Sequence, residues 1–233
     1  MKIGVFSIPE LNPGKYNVKD GRLDQVDKIT KSKKKTYIQV ELVGDDAIQD
    51  VDAILVLRDF CSDLILKDLD FVETRLSRAE QEEEKVFLNK LKDALEKERF
   101  VFSVELNDNE KRLISGYSLL TKKPVIAIEK QELENLDNLL LGVLKDAGFI
   151  SFFTTGEKET RAWLIRKGAT AWEAAGVIHS DIQRGYIRAE IISFDDFIQL
   201  GGEMQVKQAG KIRLEQKDYL MQDTDLANFR FNK

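Results

Sequence analysis

From Asp63 to Arg99 the chain runs without a single proline or glycine. That stretch dictates more of the fold than any other segment. Ile65, Leu69, Val72 and Leu76 recur with the four-three-four spacing of one helical face. Leu88, Leu91 and Leu95 do the same further on, with Phe87 and Ala94 beside them. Between the two stripes lies Arg75-Leu76-Ser77-Arg78-Ala79-Glu80-Gln81-Glu82-Glu83-Glu84-Lys85. One straight helix would leave both stripes without a partner. The spacing therefore predicts an antiparallel helical hairpin over about 63–99 with this polar segment as its turn. The acidic run reads as a solvated face rather than a metal site.

On either side the texture is strand-like. Met1–Phe6, Thr36–Val43, Ala53–Leu57 and Pro124–Ile128 are β-rich, and Ala53-Ile54-Leu55-Val56-Leu57 is the continuous apolar run of a central parallel strand. Short helices are expected over Asp20–Ile29, after the cap-like cluster Asn107-Asp108-Asn109-Glu110, and over Leu133–Lys145 closed by Gly148. This order predicts a small α/β sheet carrying a helical protrusion. From Phe149 onward the chain reads as strands again: Ile150–Thr154, Ala162–Ile165, Tyr186–Ile192, Asp218–Met221 and Ala227–Phe231. Thr170 followed by Glu173 has the spacing of a capping box. Two strands, a helix and further strands in about 80 residues suit a β-grasp arrangement. Its expected core is Phe152, Trp163, Ile165, Val177, Ile187, Ile191, Leu220 and Phe229.

Near the N-terminus, Gly14-Lys15 has the look of a phosphate-binding loop, but its surroundings do not. Such a loop carries Ser or Thr after the lysine and feeds a helix whose N–H groups and dipole meet the phosphates. Here Tyr16 follows Lys15, and the chain reaches another turn at Asp20-Gly21. Gly14 and Lys15 therefore read as a remnant, within a plain Pro-Gly-Lys loop.

The net charge is −5, from 36 basic and 41 acidic residues, so a global basic footprint for nucleic acid is missing. Residues 1–149 hold 24 basic against 29 acidic groups, and the remainder holds 12 of each. RNA binding in the C-terminal part must therefore use a local patch. Cys61 is the lone cysteine, which excludes an intramolecular disulfide and a cysteine-built metal site. With no long apolar segment and no secretory leader, the reading is cytoplasmic, with no membrane contact.

A specific resemblance is carried by Ile150–Gly156, Arg161–Ala171, Ala174–Asp181, Gly185–Glu190, Gly210–Glu215 with Lys217-Asp218-Tyr219, and Gln222-Asp223 with Phe229-Arg230-Phe231. These residues resemble the C-terminal TGS domain of the YchF/Obg-like ATPase family. Thr224 departs from the pattern, which usually has Gly after Gln-Asp. Gly21-Arg22-Leu23-Asp24 with Lys33-Lys34, Asp50–Ile54 and Leu119–Val125 resemble, more loosely, that family's nucleotide-binding domain. The helices between resemble a shortened form of its coiled-coil insertion.

The resemblance implies a degenerate P-loop NTPase-like parallel sheet over 1–148, with the hairpin at about 63–99, and a TGS β-grasp domain over 149–233. The family's Asp-x-x-Gly switch falls where this chain reads Val43-Gly44-Asp45-Asp46-Ala47, with Gly in the place of the Mg²⁺-linked Asp. Its Asn-based recognition motif falls near Ile128-Glu129-Lys130-Gln131-Glu132, which has no Asn. The first switch has no room. The expectation is a non-catalytic adaptor or regulator, without catalytic residues, cofactor or metal, that binds the ribosome, an RNA or a protein partner, and not DNA. An ATP or GTP hydrolase with an altered site, and a sensor of a small nucleotide through the TGS domain, are the alternatives. Arg161, Arg166, Lys167, Arg184 and Arg188, interleaved with Trp163, Trp172 and Tyr186, are the candidate RNA or partner contacts. Lys31, Lys33, Lys34 and Lys35 form a second basic cluster, read as a solvated turn. His179, the single histidine, reads as a helix-end residue bonded locally.

Overall fold

A computed structural model describes residues 1–232. The chain begins with β1 (Lys2–Phe6), β2 (Gly14–Val18), α1 (Gly21–Thr30), β3 (Lys35–Thr36), β4 (Ile38–Val43) and β5 (Ala53–Leu57). Helices α2 (Cys61–Arg78), α3 (Glu82–Glu96) and α4 (Asp108–Ser115) follow, then β6 (Val125–Ile128) and α5 (Leu136–Asp146). The rest comprises β7 (Phe149–Thr154), β8 (Thr160–Arg166), α6 (Ala171–Ile178), α7 (Ser180–Arg184) and β9 (Tyr186–Ile192). It ends with α8 (Phe194–Leu200), α9 (Glu203–Gln208), β10 (Arg213–Glu215) and β11 (Leu226–Phe231). The architecture is α/β, divided into two compact units. One gathers residues 1–16 and 40–136, the other 17–39 and 137–233.

In the first unit β1 pairs in parallel with β4 and β5, and β5 with β6. Ala53–Val56 is fully apolar because both faces of β5 are covered. The hairpin is present as read: the stripes of α2 and α3 close on one cluster containing Ile65, Val72, Phe87, Leu88, Leu91 and Leu95. Asp68, on α2, is buried and accepts the N–H groups of Leu120 and Thr121 and the Thr121 hydroxyl, each at 2.7 Å. It anchors the segment that leads into β6. Burial still pushes its pKa above the ordinary carboxylate value. Asn107 caps α4 in a reciprocal box with Glu110.

In the second unit the strand order is β10-β9-β11-β7-β8-β3. β7 and β8 are antiparallel, Phe152 lying opposite Trp163, while β11 runs antiparallel to β9 and parallel to β7. Helix α1 starts where Asp20 accepts the Arg22 N–H, and it buries Leu23 and Val26. The capping box at Thr170 and Glu173 opens α6 as its spacing requires. The core is Phe152, Ile165, Ala171, Ala174, Ala175, Ala189, Ile191, Met221, Ala227 and Phe229.

Four expected core positions differ. Trp163 is half-buried and donates its indole N–H to Thr154. Val177, Ile187 and Leu220 are about half exposed, and Val177 lies on short α6, which turns its alanines inward. Asp218–Met221 is not a strand and makes one isolated bridge, Leu220 to Thr170. The carbonyls of Lys217 and Tyr219 instead accept the first N–H groups of α6. Helices α8 and α9 and the short strand β10 carry no periodicity long enough to read.

Candidate functional site

In an open parallel sheet, ligands bind beyond the carboxyl ends of the strands. In the first unit that edge is formed by the segments after β1, β4, β5 and β6. The chain leaves β1 through Ser7–Pro13 and enters a strand, so Gly14 and Lys15 open β2 rather than a helix. The Lys15 side chain is exposed, and the Tyr16 hydroxyl donates to the Asn12 carbonyl at 2.8 Å. After β4, Gly44 leads into a 3-10 turn over Asp45–Asp50 whose Ile48 packs down on β1. It fits because Gly4 has no side chain: a Cβ there would lie 2.6 Å from Ile48 Cγ1. Beyond β5 and β6, Arg58 pairs with Glu129 at 2.5 Å and Lys130 with Glu10 at 2.9 Å. Exposed pairs of this kind add little stability, but they tie these four charged groups to one another.

The five basic candidates of the second unit fall in three places. Arg161 lies on the core-facing side of β8, its guanidinium 4.0 Å from the centre of the Trp163 ring and its Nε buried without a partner. Arg166 is on the opposite face, over the Phe149 ring at 4.1 Å, with Lys167 in the turn that follows. Arg184 ends α7 and pairs with Asp181. Arg188 shares the sheet face of Arg166 and stands opposite Arg230, which Glu190 neutralises at 2.9 Å.

Arg166 and Arg188 are far apart. Arg166 is level with Phe149, four residues before the Phe153–Leu226 pairing, and Arg188 is level with Arg230, four residues beyond it. That offset is about 26 Å of strand length. Two strands, β11 and β7, also lie between β9 and β8. The structure thus brings together Arg166 with Lys167, and Arg184 with the Arg188 end of the sheet, but not all five. Trp172 is exposed at the start of α6 and Tyr186 packs against Phe229.

The remaining candidates are local. Lys35 binds Asp24 at 2.6 Å and Lys34 binds Glu159 at 3.1 Å. Lys31 caps α1 in a left-handed conformation, and Lys33 is exposed. His179 sits between α6 and α7, its Nδ1 accepting the Asp181 N–H at 3.1 Å. Burial pushes the Cys61 thiol above its usual range, away from nucleophile chemistry.

Sequence reading missed one grouping. Arg75 and Arg78 of α2 and Arg112 of α4 line a single cleft of about 810 Å³. The spacing of Arg75 and Arg78 was visible within the hairpin turn, but nothing local announced Arg112 as their neighbour.

A family model described as "YchF-GTPase_C: Protein of unknown function (DUF933)" matches residues 149–232. The chain is 32% identical over 252 aligned residues to a "Ribosome-binding ATPase YchF" of Bacillus subtilis (strain 168), covering 80% of this chain and 67% of that protein. A protein of the same name from Escherichia coli O157:H7 is 56% identical over 82 residues, which is 35% of this chain and 23% of that one. The chain spans about two thirds of the length of the curated relatives it matches over most of its own length. Among solved structures, the Schizosaccharomyces pombe YchF GTPase superposes with a TM-score of 0.79 at 19% identity, covering 99% of this chain and 97% of that one. At that identity the likeness is one of fold. No helix among the described residues is long and apolar enough to cross a membrane.

Proposed function

The chain belongs to the YchF family, and from that premise we propose that it binds the ribosome or an RNA without hydrolysing a nucleotide. The position of Lys15 carries the second half of this reading. It stands on a strand, beside a tyrosine, with no helix N-terminus after it to receive phosphates. At the carboxyl edge, Glu10 pairs with Lys130 and Arg58 with Glu129. Support for the first half comes from relatives named ribosome-binding ATPases. The same proposal assigns the parallel sheet to P-loop descent and residues 149–232 to a TGS β-grasp domain in a cytoplasmic protein.

A second reading is a hydrolase with an altered site, and the word ATPase in the relatives' names favours it. Isothermal titration separates the two. The expected outcome is no Mg²⁺-dependent binding of ATP or GTP, and Lys15→Ala leaves folding and partner binding unchanged. Micromolar, Mg²⁺-dependent binding at one site would establish the hydrolase reading instead. Sedimentation with ribosomes tests the other half: the protein is expected in the ribosomal pellet. Absence of association with ribosomes and with RNA would leave a protein-binding adaptor.

A further inference from the structure

The cleft at the closed end of the hairpin gathers three guanidinium groups that the sequence keeps apart. Arg75 and Arg78 lie three residues apart near the end of α2, hence on neighbouring positions of one face. Arg112 comes from the last turn of α4. Phe71, Leu113 and Tyr117 line the same cleft, as do Glu80 and Glu84.

Its wall is held rigidly. The buried Glu84 carboxylate accepts both Arg75 Nε and the Tyr117 hydroxyl, each at 2.7 Å. The Arg75 guanidinium therefore stands over the Tyr117 ring, 6.0 Å from its centre. Arg75 holds Glu84 below the usual carboxylate range, and burial pushes the Tyr117 hydroxyl up to about 12, so this pair is a fixed ion and a fixed donor at neutral pH. Glu84 is thereby committed to two partners, while Arg75 has further N–H donors to offer. Arg78 and Arg112 are exposed and make no ion pair among the described residues.

An arginine in the last turn of a helix complements the helix dipole wherever it points around the axis. The dipole does not explain why arginines from two helices face one cleft with an aromatic wall. Nor does composition, since the chain as a whole is acidic. Planar guanidinium forks match phosphate oxygens in a way that lysine does not.

We propose that the Arg75–Arg78–Arg112 cleft seats a phosphate-bearing nucleotide of single-stranded or loop RNA. Arg78 and Arg112 hold the phosphate oxygens, Arg75 is pre-oriented by Glu84, and the Phe71 and Tyr117 side of the cleft faces the sugar or base. This rests on the RNA-binding reading above and gives it a site on the hairpin, independent of Arg166 and Arg188. Glu80, exposed on the rim and in no ion pair among the described residues, opposes the anion.

The test uses the full chain and a fluorescently labelled twelve-nucleotide RNA, with anisotropy followed across a salt series. Arg78→Glu with Arg112→Glu is expected to weaken binding by about tenfold or more. Its log–log salt slope should fall by about 0.7 for each lost phosphate contact. Glu80→Gln should tighten binding. Both reversed arginines are exposed, so the melting temperature should not move. Should the reversal disturb folding, Arg78→Lys with Arg112→Lys keeps the charge, loses the forks, and should still weaken binding. Unchanged affinity and slope in the folded arginine variants would overturn the cleft and leave RNA binding standing elsewhere. Failure of the wild type to bind any RNA or ribosome would overturn both. Tighter binding of a phosphoserine peptide than of RNA, lost with the same arginines, would reassign the cleft to a phosphorylated protein.

Discussion

Thr224 shows how one residue records both descent and strain. The sequence marks it as a departure from a position that usually holds glycine, and the backbone there has a φ of +67°. A β-branched residue in that region carries a cost of about 1–2 kcal/mol. It is held there because its N–H donates to the Ser151 carbonyl at 2.7 Å. The neighbouring Asp223 accepts Ser151 N–H at 3.0 Å and Arg22 at 2.6 Å. Thr224→Gly should relieve the strain while losing the 2.6 Å hydroxyl bond to the Asp223 carbonyl and some unfolded-state restriction. The expected net gain is about 0.5–1 kcal/mol, a rise of roughly 1–4 °C in Tm for a chain of this length. A melting scan checks it, and an unchanged or lower Tm would mean that the left-handed turn costs this threonine little.

At the scale of elements, the hairpin is held by an apolar seam and by one polar tie. The tie is Glu84 of α3, which joins Arg75 of α2 to Tyr117 beyond α4. The Arg75 bond, then the Tyr117 bond, lowers the Glu84 pKa in the folded state. A lowered carboxylate pKa adds stability that is present above the unfolded value and disappears as pH falls through the folded one. The window therefore opens below about 4.3, the ordinary value for glutamate. Asp68 works in the opposite sense: burial raises its pKa, so its ionisation opposes folding as pH rises through that raised value. Comparing wild type with Glu84→Gln isolates the first effect. At pH 7 the variant should be less stable by about 1 kcal/mol or less, because Arg75 is half exposed and screened. In urea unfolding, that difference should shrink as the pH drops below about 4. A difference that stays constant down to pH 3 would show that the Arg75 charge does not act through Glu84.

At the scale of the whole molecule, the compact units do not follow the chain in one cut. Residues 17–39 belong with 137–233, where α1 lies against β8 and α8, and β3 pairs with β8. The core around Phe152, Ile165, Ala189 and Phe229 nevertheless comes wholly from beyond residue 149. We therefore expect the fragment 149–233 to unfold cooperatively, at a lower temperature than full-length protein. A peptide of residues 17–39 should raise that temperature by covering the β8 edge. A fragment without a cooperative transition would move the folding boundary upstream, to include α1.

Much of this fold was legible locally. The hairpin, the caps at Asn107 and Thr170, the central strand Ala53–Leu57 and the short helix after Asp20 were all readable, because periodicity and capping act over a few residues. The absence of a helix directly after Gly14-Lys15 was also readable, because Tyr16 and the turn at Asp20-Gly21 leave no room for one. The rest depended on pairing between distant segments. Which half of α6 faces inward decided the fate of Val177. Sheet order and register placed Arg166 and Arg188 about 26 Å apart along the strands, although only 22 positions separate them in the chain. Helix packing brought Arg112 to Arg75 and Arg78 across more than 30 positions. A single sequence states charge and period, but the direction in which a side chain points, and what it meets there, is fixed only when the elements close on one another.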